Sequence, residues 1–321
     1  MSRSPKENRP TIAITLGDPA GIGPEVVMKT LLDPRVPKAF RYEVLGSTDR
    51  VTPGKISKTS ARMALKALTE AARGCLSGKY AAMVTGPVNK LAISQVASDF
   101  VGQTEFLARV CGLPDEAAVM ALTDPKLTVA LCSNHCSLQD AIKRLTPERI
   151  VYVTKITREF LRRSGLAHRR RAIAFAGVNP HLGEGGLFGD EDFRLVGPAV
   201  AKLNAEGIAL VHAPADTVFY YAVQKKTFDA VICAYHDQAL IPFKLVAFKT
   251  GVNVTLGLPL IRTSPDHGTA VEIAGQDKAD HQSMLAAVRL ACRLHPRKNS
   301  GWEIPFPPHR AILCVHSQLI R

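Results

Sequence analysis

Short apolar runs that stop at polar clusters recur along this chain. The clearest are residues 229–235, which stop at His236, and residues 252–261, which stop at Arg262. Runs of this length, rich in β-branched residues, are typical of strands buried on both faces of a parallel sheet. Helical periodicity follows most of the polar clusters. The pattern therefore predicts an α/β fold with a largely parallel central sheet.

The predicted elements alternate from residue 11 to residue 294. Strands are predicted at residues 11–16, 42–45, 80–84, 119–122, 127–132, 172–178, 208–211, 229–235 and 252–261. Helices are predicted at residues 25–32, 60–75, 102–111, 147–164 and 283–294, with Ser60 and Thr146 as N-caps. No linker or repeat divides the chain, so residues 1–294 are expected to form one catalytic unit of two interleaved lobes. The proline-containing residues 295–321 are expected to form an atypical, poorly ordered tail.

Composition narrows the class of protein. Of 321 residues, 46% are hydrophobic and 21% are charged, which is ordinary for a globular protein. No apolar run approaches the ~20 residues that a membrane-spanning helix needs, and the polar N-terminus lacks the apolar core of a secretion signal. The seven cysteines are scattered and odd in number, which favours reduced thiols over a disulfide framework. We therefore expect a cytoplasmic protein with no membrane partner.

The formal net charge of +13 raises the question of nucleic-acid binding. Residues 158–171 and 295–321 contribute +5 and +3 of that charge, and no nucleic-acid-binding signature accompanies them. Aromatic residues make up only 6% of the chain. The charge indicates attraction for phosphorylated small molecules, and nucleic acid is not expected as a partner.

Polar side chains at the predicted strand ends supply candidate chemistry. Ligands of open α/β sheets bind beyond the carboxyl ends of the strands. Lys244, Asn253 and Arg262 would offer such a ligand two cations and an amide, which suits an anion. Lys90, after the strand at 80–84, either reaches a phosphate or carboxylate or is an ordinary solvated lysine.

Three histidines each follow a predicted buried strand: His135, His181 and His236. A lone histidine in that place is more often hydrogen-bonded structure than a ligand. Three with the same placement predict a divalent-metal site, because three imidazoles and an open position form a common catalytic metal centre. Such a metal could either ionise an alcohol or activate water for hydrolysis, and the residues alone leave both open. A structural zinc site at Cys132, His135 and Cys136 is not favoured, because no second pair of Cys or His ligands stands at the required spacing.

The motifs of this chain, in order, resemble those of the 4-hydroxythreonine-4-phosphate dehydrogenase family of pyridoxal phosphate biosynthesis. They are GDPAGIGPE (17–25), VTGPVNK (84–90), GQTEF (102–106), VNPHLGEGG (178–186), PADTVF (214–219), YHDQALIPFK (235–244) and VNVTLGLPLIRTSPDHGTAVEIAG (252–275). The resemblance implies an isocitrate/isopropylmalate dehydrogenase-like fold and a homodimer with its active sites at the subunit interface. It also implies NAD- or NADP-linked oxidation of a secondary alcohol, followed by loss of CO₂ from the keto acid.

The resemblance also implies roles for individual residues. The three histidines would bind a divalent ion such as Zn, Mg or Co, with one of them supplied by the partner subunit. The expected substrate-binding residues are Gln103, Thr104, Lys244, Asn253 and Arg262, and the expected catalytic residues are Lys244 and Asp216. The expected adenosine-side cofactor residues are Asp266, His267, Gly268, Ala274 and Gly275.

The chain departs from the family pattern at three places. Gln103 replaces a histidine, so it can donate and accept hydrogen bonds but cannot titrate. Several tens of residues are missing between Ser47 and Pro53, and residues 295–321 match nothing in the family. Because of Gln103, related acids are alternative substrates, namely threonate or erythronate 4-phosphate and a dihydrodiol dicarboxylate. A metal-dependent phosphohydrolase and a non-catalytic binding module are the rival interpretations from other classes.

Overall fold

A computed structural model describes residues 9–168 and 171–295. Its strands are β1 (Thr11–Thr15), β2 (Arg41–Leu45), β3 (Ala82–Thr85), β4 (Val119–Asp124), β5 (Leu127–Leu131), β6 (Ala172–Ala176), β7 (Leu210–Ala213), β8 (Phe228–Cys233), β9 (Val252–Leu256) and β10 (Arg262–Pro265). Its helices are α1 (Gly23–Leu32), α2 (Lys58–Leu76), α3 (Lys90–Ser94), α4 (Gln103–Val110), α5 (Leu138–Arg144), α6 (Pro147–Ser164), α7 (Gly197–Ala205), α8 (Ala215–Val223), α9 (His236–Ala247) and α10 (Gln282–Leu294). The predicted tail, apart from His295, lies outside the described residues.

The strands form one sheet in the order β2-β1-β3-β10-β9-β4-β5-β8-β6-β7. The two ends of the sheet are parallel, whereas the three central pairings, β10 with β9, β9 with β4, and β4 with β5, are antiparallel. The chain builds one end first, then the other, and returns through β9 and β10. The predicted α/β class with a largely parallel sheet is confirmed.

The prediction of one strand over residues 252–261 was wrong. β9 ends at Leu256, and the chain reverses before β10, which pairs antiparallel with β9. Gly257 allows the reversal because its φ of +81° is a left-handed value that favours glycine. Pro259 also cannot donate to a sheet ladder. As a result, Arg262 lies inside a strand rather than after one.

Other elements also differ from the sequence prediction. Ser57, rather than Ser60, is the N-cap of α2, and Ser60 completes a capping box with it by accepting from the Ser57 amide. The cluster that begins at His236 opens helix α9, which the sequence pattern did not predict. Among the described residues, no helix combines the length and apolarity needed to cross a membrane.

The two faces of the sheet are covered differently, and this places the cleft. Alternate residues of β1 face opposite ways. Ile12 and Ile14 belong to the core that also contains residues of α1, α6, α7 and α10, whereas Ala13 belongs to the core that contains residues of α2. On the face of α2, the other end of the sheet is covered by α8 and α9. The central strands on that face, between α4 and α9, form the floor of a cleft lined by Met120, Leu122 and Asn253.

Candidate active site

The cleft between α4 and α9 gathers most of the predicted site residues. Its volume is about 330 Å³. The predicted residues that line it are Gln103, Thr104, His135, His236, Lys244, Asn253, Arg262, Asp266, His267 and Gly268. Its floor is the face of the antiparallel strands, so the expectation that all these groups lie beyond strand carboxyl ends was wrong. The β9–β10 reversal explains the difference, because it turns the side chains of Asn253 and Arg262 onto the face of the sheet.

Two of the three histidines meet at one wall of the cleft. β5 and β8 are parallel neighbours, with Leu131 opposite Cys233, so His135 and His236 leave the sheet side by side. Their ring centroids are 5.2 Å apart. His236 Nδ1 donates to Asp237 Oδ1 over 2.7 Å, because a carboxylate can only accept. That bond leaves the Nε2 lone pair of His236 available to a ligand.

The ring of His135 contacts a cation. Lys90 Nζ lies 3.3 Å from His135 Nε2, and an ammonium can only donate, so Nε2 carries the lone pair. Desolvation in the cleft and the nearby Lys90 charge lower the pKa of His135. Desolvation also lowers the pKa of Lys90, against the attraction of Glu105. The lowered pKa of His135 favours a neutral imidazole, which is the form that binds metal.

Arg262 is the deepest cation of the cleft, with only 3% of its surface exposed. Its Nε and Nη2 donate to Thr85 Oγ1 at 3.0 and 2.8 Å, and its Nη1 donates to Thr255 Oγ1 at 3.0 Å and more weakly to Asn253 Oδ1 at 3.4 Å. Burial lowers the pKa of Arg262 to about 10, partly opposed by Glu105. The three side chains that accept from Arg262 are all neutral, so the guanidinium retains a strong affinity for an anionic ligand.

Lys244 projects from α9 into the same cleft. His236, Leu240 and Lys244 are spaced by four residues, which places them along one side of the helix. Lys244 Nζ lies 2.6 Å from Asp266 Oδ2 and donates to the Asp266 carbonyl oxygen. Burial raises the pKa of Asp266, while Lys244 opposes that rise. The pair joins the predicted substrate side of the cleft to the predicted cofactor loop.

The start of α4 supplies the opposite wall. Thr104 is buried, and Gln103 Nε2 donates to the Gly86 carbonyl oxygen at 3.3 Å. Gln103 Oε1 is buried and has no hydrogen-bond partner among the described residues. A buried acceptor of this kind costs free energy unless something donates to it. Gln103 therefore presents an acceptor to a ligand of the cleft.

Four of the predicted site residues do not line this cleft: His181, Asp216, Ala274 and Gly275. His181 is exposed, and its backbone is in the left-handed region, with a φ of 51°, within the segment Pro180–Gly186. Asp216 is exposed in the first turn of α8. Gly275 sits against Pro53, where an added Cβ would lie 3.0 Å from the proline Cβ. Within the described part of the chain, no three His, Cys, Asp or Glu side chains are placed to hold a metal ion.

One buried carboxylate of the cleft was not predicted from the sequence. Glu105 is 7% exposed, lines the cleft, and accepts from Asn134 Nδ2 through Oε1 at 3.3 Å. It lies two residues after Gln103 in the motif GQTEF (102–106). An acidic residue in the first turn of a helix is common, which is why the motif alone did not mark Glu105 as part of the site.

Comparison with known proteins identifies the family of this chain. The profile of the family described as "Pyridoxal phosphate biosynthetic protein PdxA" matches residues 25–291. The chain belongs to the PdxA family. It is 39% identical to a 4-hydroxythreonine-4-phosphate dehydrogenase of Geobacter metallireducens, over 92% of this chain and 99% of the relative. It is 37% identical to a protein of Bradyrhizobium diazoefficiens, provisionally named a D-threonate 4-phosphate dehydrogenase, over 88% and 96% of the two chains.

Solved structures agree with this membership. The crystal structure of a 4-hydroxythreonine-4-phosphate dehydrogenase of the same family, from Klebsiella pneumoniae, superposes with a TM-score of 0.74 at 35% identity, covering 90% of this chain and all of that one. An isocitrate dehydrogenase from Methylococcus capsulatus shares the fold alone, with a TM-score of 0.53 at 15% identity. The predicted family and fold are thus confirmed. The Geobacter alignment spans 340 positions against 321 residues here, so that PdxA relative carries residues that this chain lacks.

Proposed function

We propose that this protein oxidises 4-phosphohydroxy-L-threonine at its secondary alcohol, with NAD or NADP and a divalent metal, in the biosynthesis of vitamin B6. The resulting 3-keto acid loses CO₂ to give 3-amino-2-oxopropyl phosphate. The observation that carries the proposal is one cleft that holds two imidazoles beside the buried Arg262, in a chain of the PdxA family. As a homodimer in the cytoplasm, the protein would have active sites shared between its copies.

The donor chemistry of the cleft fits a divalent cation. His135 and His236 each carry a lone pair on Nε2, and imidazole suits Zn or Co better than Mg. One chain supplies only two of the three ligands, and the exposed His181 of a second copy is our candidate for the third. When bound, the metal would act as a Lewis acid on the substrate hydroxyl, and the nicotinamide would accept hydride.

The cations of the chain would bind the two anionic ends of the substrate. Arg262 and Lys244 match phosphate and carboxylate, and Asn253 would hydrogen-bond beside them. Thr104 and Gln103 would orient the reacting carbon from the α4 side. Lys244 is also our candidate for moving a proton, because it lines the cleft and Asp266 holds its ammonium there. Asp216 is exposed outside the cleft, so it would act only from a second copy.

The nicotinamide cofactor would lie along the loop that follows β10. Asp266, His267 and Gly268 border the cleft, and Ala274 and Gly275 continue the same loop away from it. The turn before α1 lies against this loop, since the Ile22 amide donates to the Thr269 carbonyl oxygen at 2.9 Å. The two glycine-rich segments therefore form one continuous surface for the adenosine side.

Gln103 favours a second candidate substrate within the same reaction class. Its unpartnered Oε1 accepts hydrogen bonds from a hydroxyl as readily as from an ammonium group. Threonate or erythronate 4-phosphate, which carry a hydroxyl where phosphohydroxythreonine has an amine, would suit it. A dihydrodiol dicarboxylate is the third member of this set.

The test is turnover of these acids by the metal-loaded protein with NAD⁺ and with NADP⁺, followed by nicotinamide absorbance. We expect reduction with 4-phosphohydroxy-L-threonine and a lower kcat/KM with the other acids. A reversed ranking would favour the second candidate. Release of phosphate without nicotinamide reduction would contradict the proposal and favour a phosphohydrolase.

A further inference from the structure

Lys90 holds an unusual place in the cleft. It is the first residue of the short helix α3, and its ammonium donates to the Nε2 of His135 at 3.3 Å. That lone pair is the one that His135 would offer to a divalent cation. Two cations cannot share it, because a nitrogen that accepts from an ammonium is not free to coordinate a metal. Metal binding therefore requires Lys90 to move.

A second position for the ammonium is already present. Glu105 Oε2 is buried and has no hydrogen-bond partner among the described residues, while Oε1 is held by Asn134. A buried carboxylate oxygen left without a donor costs free energy, which a charged donor would recover.

Gly102 leaves the path between the two groups open. A Cβ added there would lie 2.7 Å from Glu105 Oε2 and 3.8 Å from Lys90 Cε. The end of the lysine stem and the carboxylate oxygen therefore border the same small space, and the absence of a side chain at Gly102 keeps that space free. A change of side-chain rotamer, which is inexpensive for lysine, brings the ammonium to Oε2.

We propose that the Lys90 ammonium occupies the metal-binding nitrogen of His135 while no metal is bound. When the metal binds, the ammonium moves to Glu105. The inference rests on the metal site of the proposed function. It makes Lys90 and Glu105 positioning residues that set the affinity for the cation. Lys90 lowers that affinity by competing for His135, and Glu105 restores it by giving the ammonium another partner.

The test is calorimetric titration of Co²⁺ into metal-free variants of the full chain. Lys90→Met keeps the apolar stem but removes the charge, and we expect its dissociation constant for Co²⁺ to fall about tenfold. Lys126→Met, an exposed lysine away from the cleft, is the matched control and should bind like the wild type. An unchanged dissociation constant in Lys90→Met, with unchanged melting temperature, would overturn the inference.

A double-mutant cycle tests the transfer to Glu105. Glu105→Gln should weaken Co²⁺ binding about tenfold when Lys90 is present and less than threefold in the Lys90→Met background. A purely electrostatic effect of the carboxylate on the metal would give the same loss in both backgrounds, and that result would overturn the transfer.

His135→Ala separates this inference from the proposed function. If it binds Co²⁺ as tightly as the wild type, the metal site itself is wrong and the inference falls with it. If it loses Co²⁺ while Lys90→Met binds like the wild type, only the role of Lys90 is wrong. If it loses Co²⁺ and the Lys90 and Glu105 variants behave as expected, both hold.

Discussion

Arg262 illustrates how one side chain can be held ready for a ligand. Its donors are taken up by threonine hydroxyls and an amide, which fix the guanidinium without neutralising it. The sequence marked Arg262 as a cation after a strand. Its burial and its contact with Thr85 depend on a strand far away in the chain, so they could not be predicted from the local pattern.

Arg262→Ala should chiefly raise the KM for the phosphorylated substrate. A charge-assisted hydrogen bond contributes about 1.5–3 kcal/mol, which corresponds to a rise of roughly tenfold to a hundredfold. Steady-state kinetics would measure the change, with the exposed Arg289→Ala on α10 as control. An unchanged KM would remove Arg262 from the substrate site.

Asp192 shows how a short irregular segment is anchored. The segment Asp192–Val196 begins with this buried carboxylate, which accepts from the amides of Val178 and Asn179 at 2.8 Å and pairs with His212 at the same distance. Burial alone would raise the pKa of Asp192, but His212 and the two amides outweigh it, and the pKa is lowered. These bonds join Asp192 to the residues that follow β6. They therefore hold both ends of the intervening loop, which carries His181.

Asp192→Asn should therefore destabilise the fold, and in a pH-dependent way. Because the folded pKa is below the unfolded value of 3.8, the carboxylate stabilises above that value and the effect is lost as the pH falls through the folded pKa. We expect the free energy of unfolding to drop by about 1.5–3 kcal/mol at neutral pH and to converge with the wild type in acid. Urea titrations from pH 7 to about 2 would measure both, with the exposed Asp190→Asn as control. A constant difference at every pH would contradict the assignment.

The reversal between β9 and β10 depends on Gly257. Its φ is +81°, and a Cβ there would lie 2.1 Å from the Ala117 carbonyl oxygen. Gly112 has a similar φ of +71° with nothing within 4 Å of the added atom. Gly112→Ala therefore reports the backbone strain alone, of the order of 1 kcal/mol, and Gly257→Ala should lose clearly more. Thermal unfolding of the two variants measures the difference, and equal losses would show that the close approach is unimportant.

At the scale of the whole molecule, the proposed metal site would draw its three histidines from two copies of the chain. His135 and His236 share one cleft, whereas His181 is exposed elsewhere. In a dimer that combines His181→Ala with His236→Ala, one of the two shared sites would keep all three histidines. Refolding an equal mixture of the two inactive variants should therefore restore about one quarter of the wild-type activity, since half of the dimers are mixed. No recovery, with mixed dimers shown by mass spectrometry, would mean that each site draws its ligands from a single copy.

The sequence by itself determined the strand–cluster–helix alternation and the family, because periodicity and motifs are local. Together with the family motifs, it also indicated ten of the groups that line the cleft. Only the tertiary structure decided which of them meet. The antiparallel return through β9 and β10 turned Asn253 and Arg262 onto the face of the sheet. The adjacency of β5 and β8 paired His135 with His236, and the packing of α4 against the cleft buried Glu105 beside Lys90. These placements depend on strand order and on which face a side chain takes, and contacts between distant segments determine both.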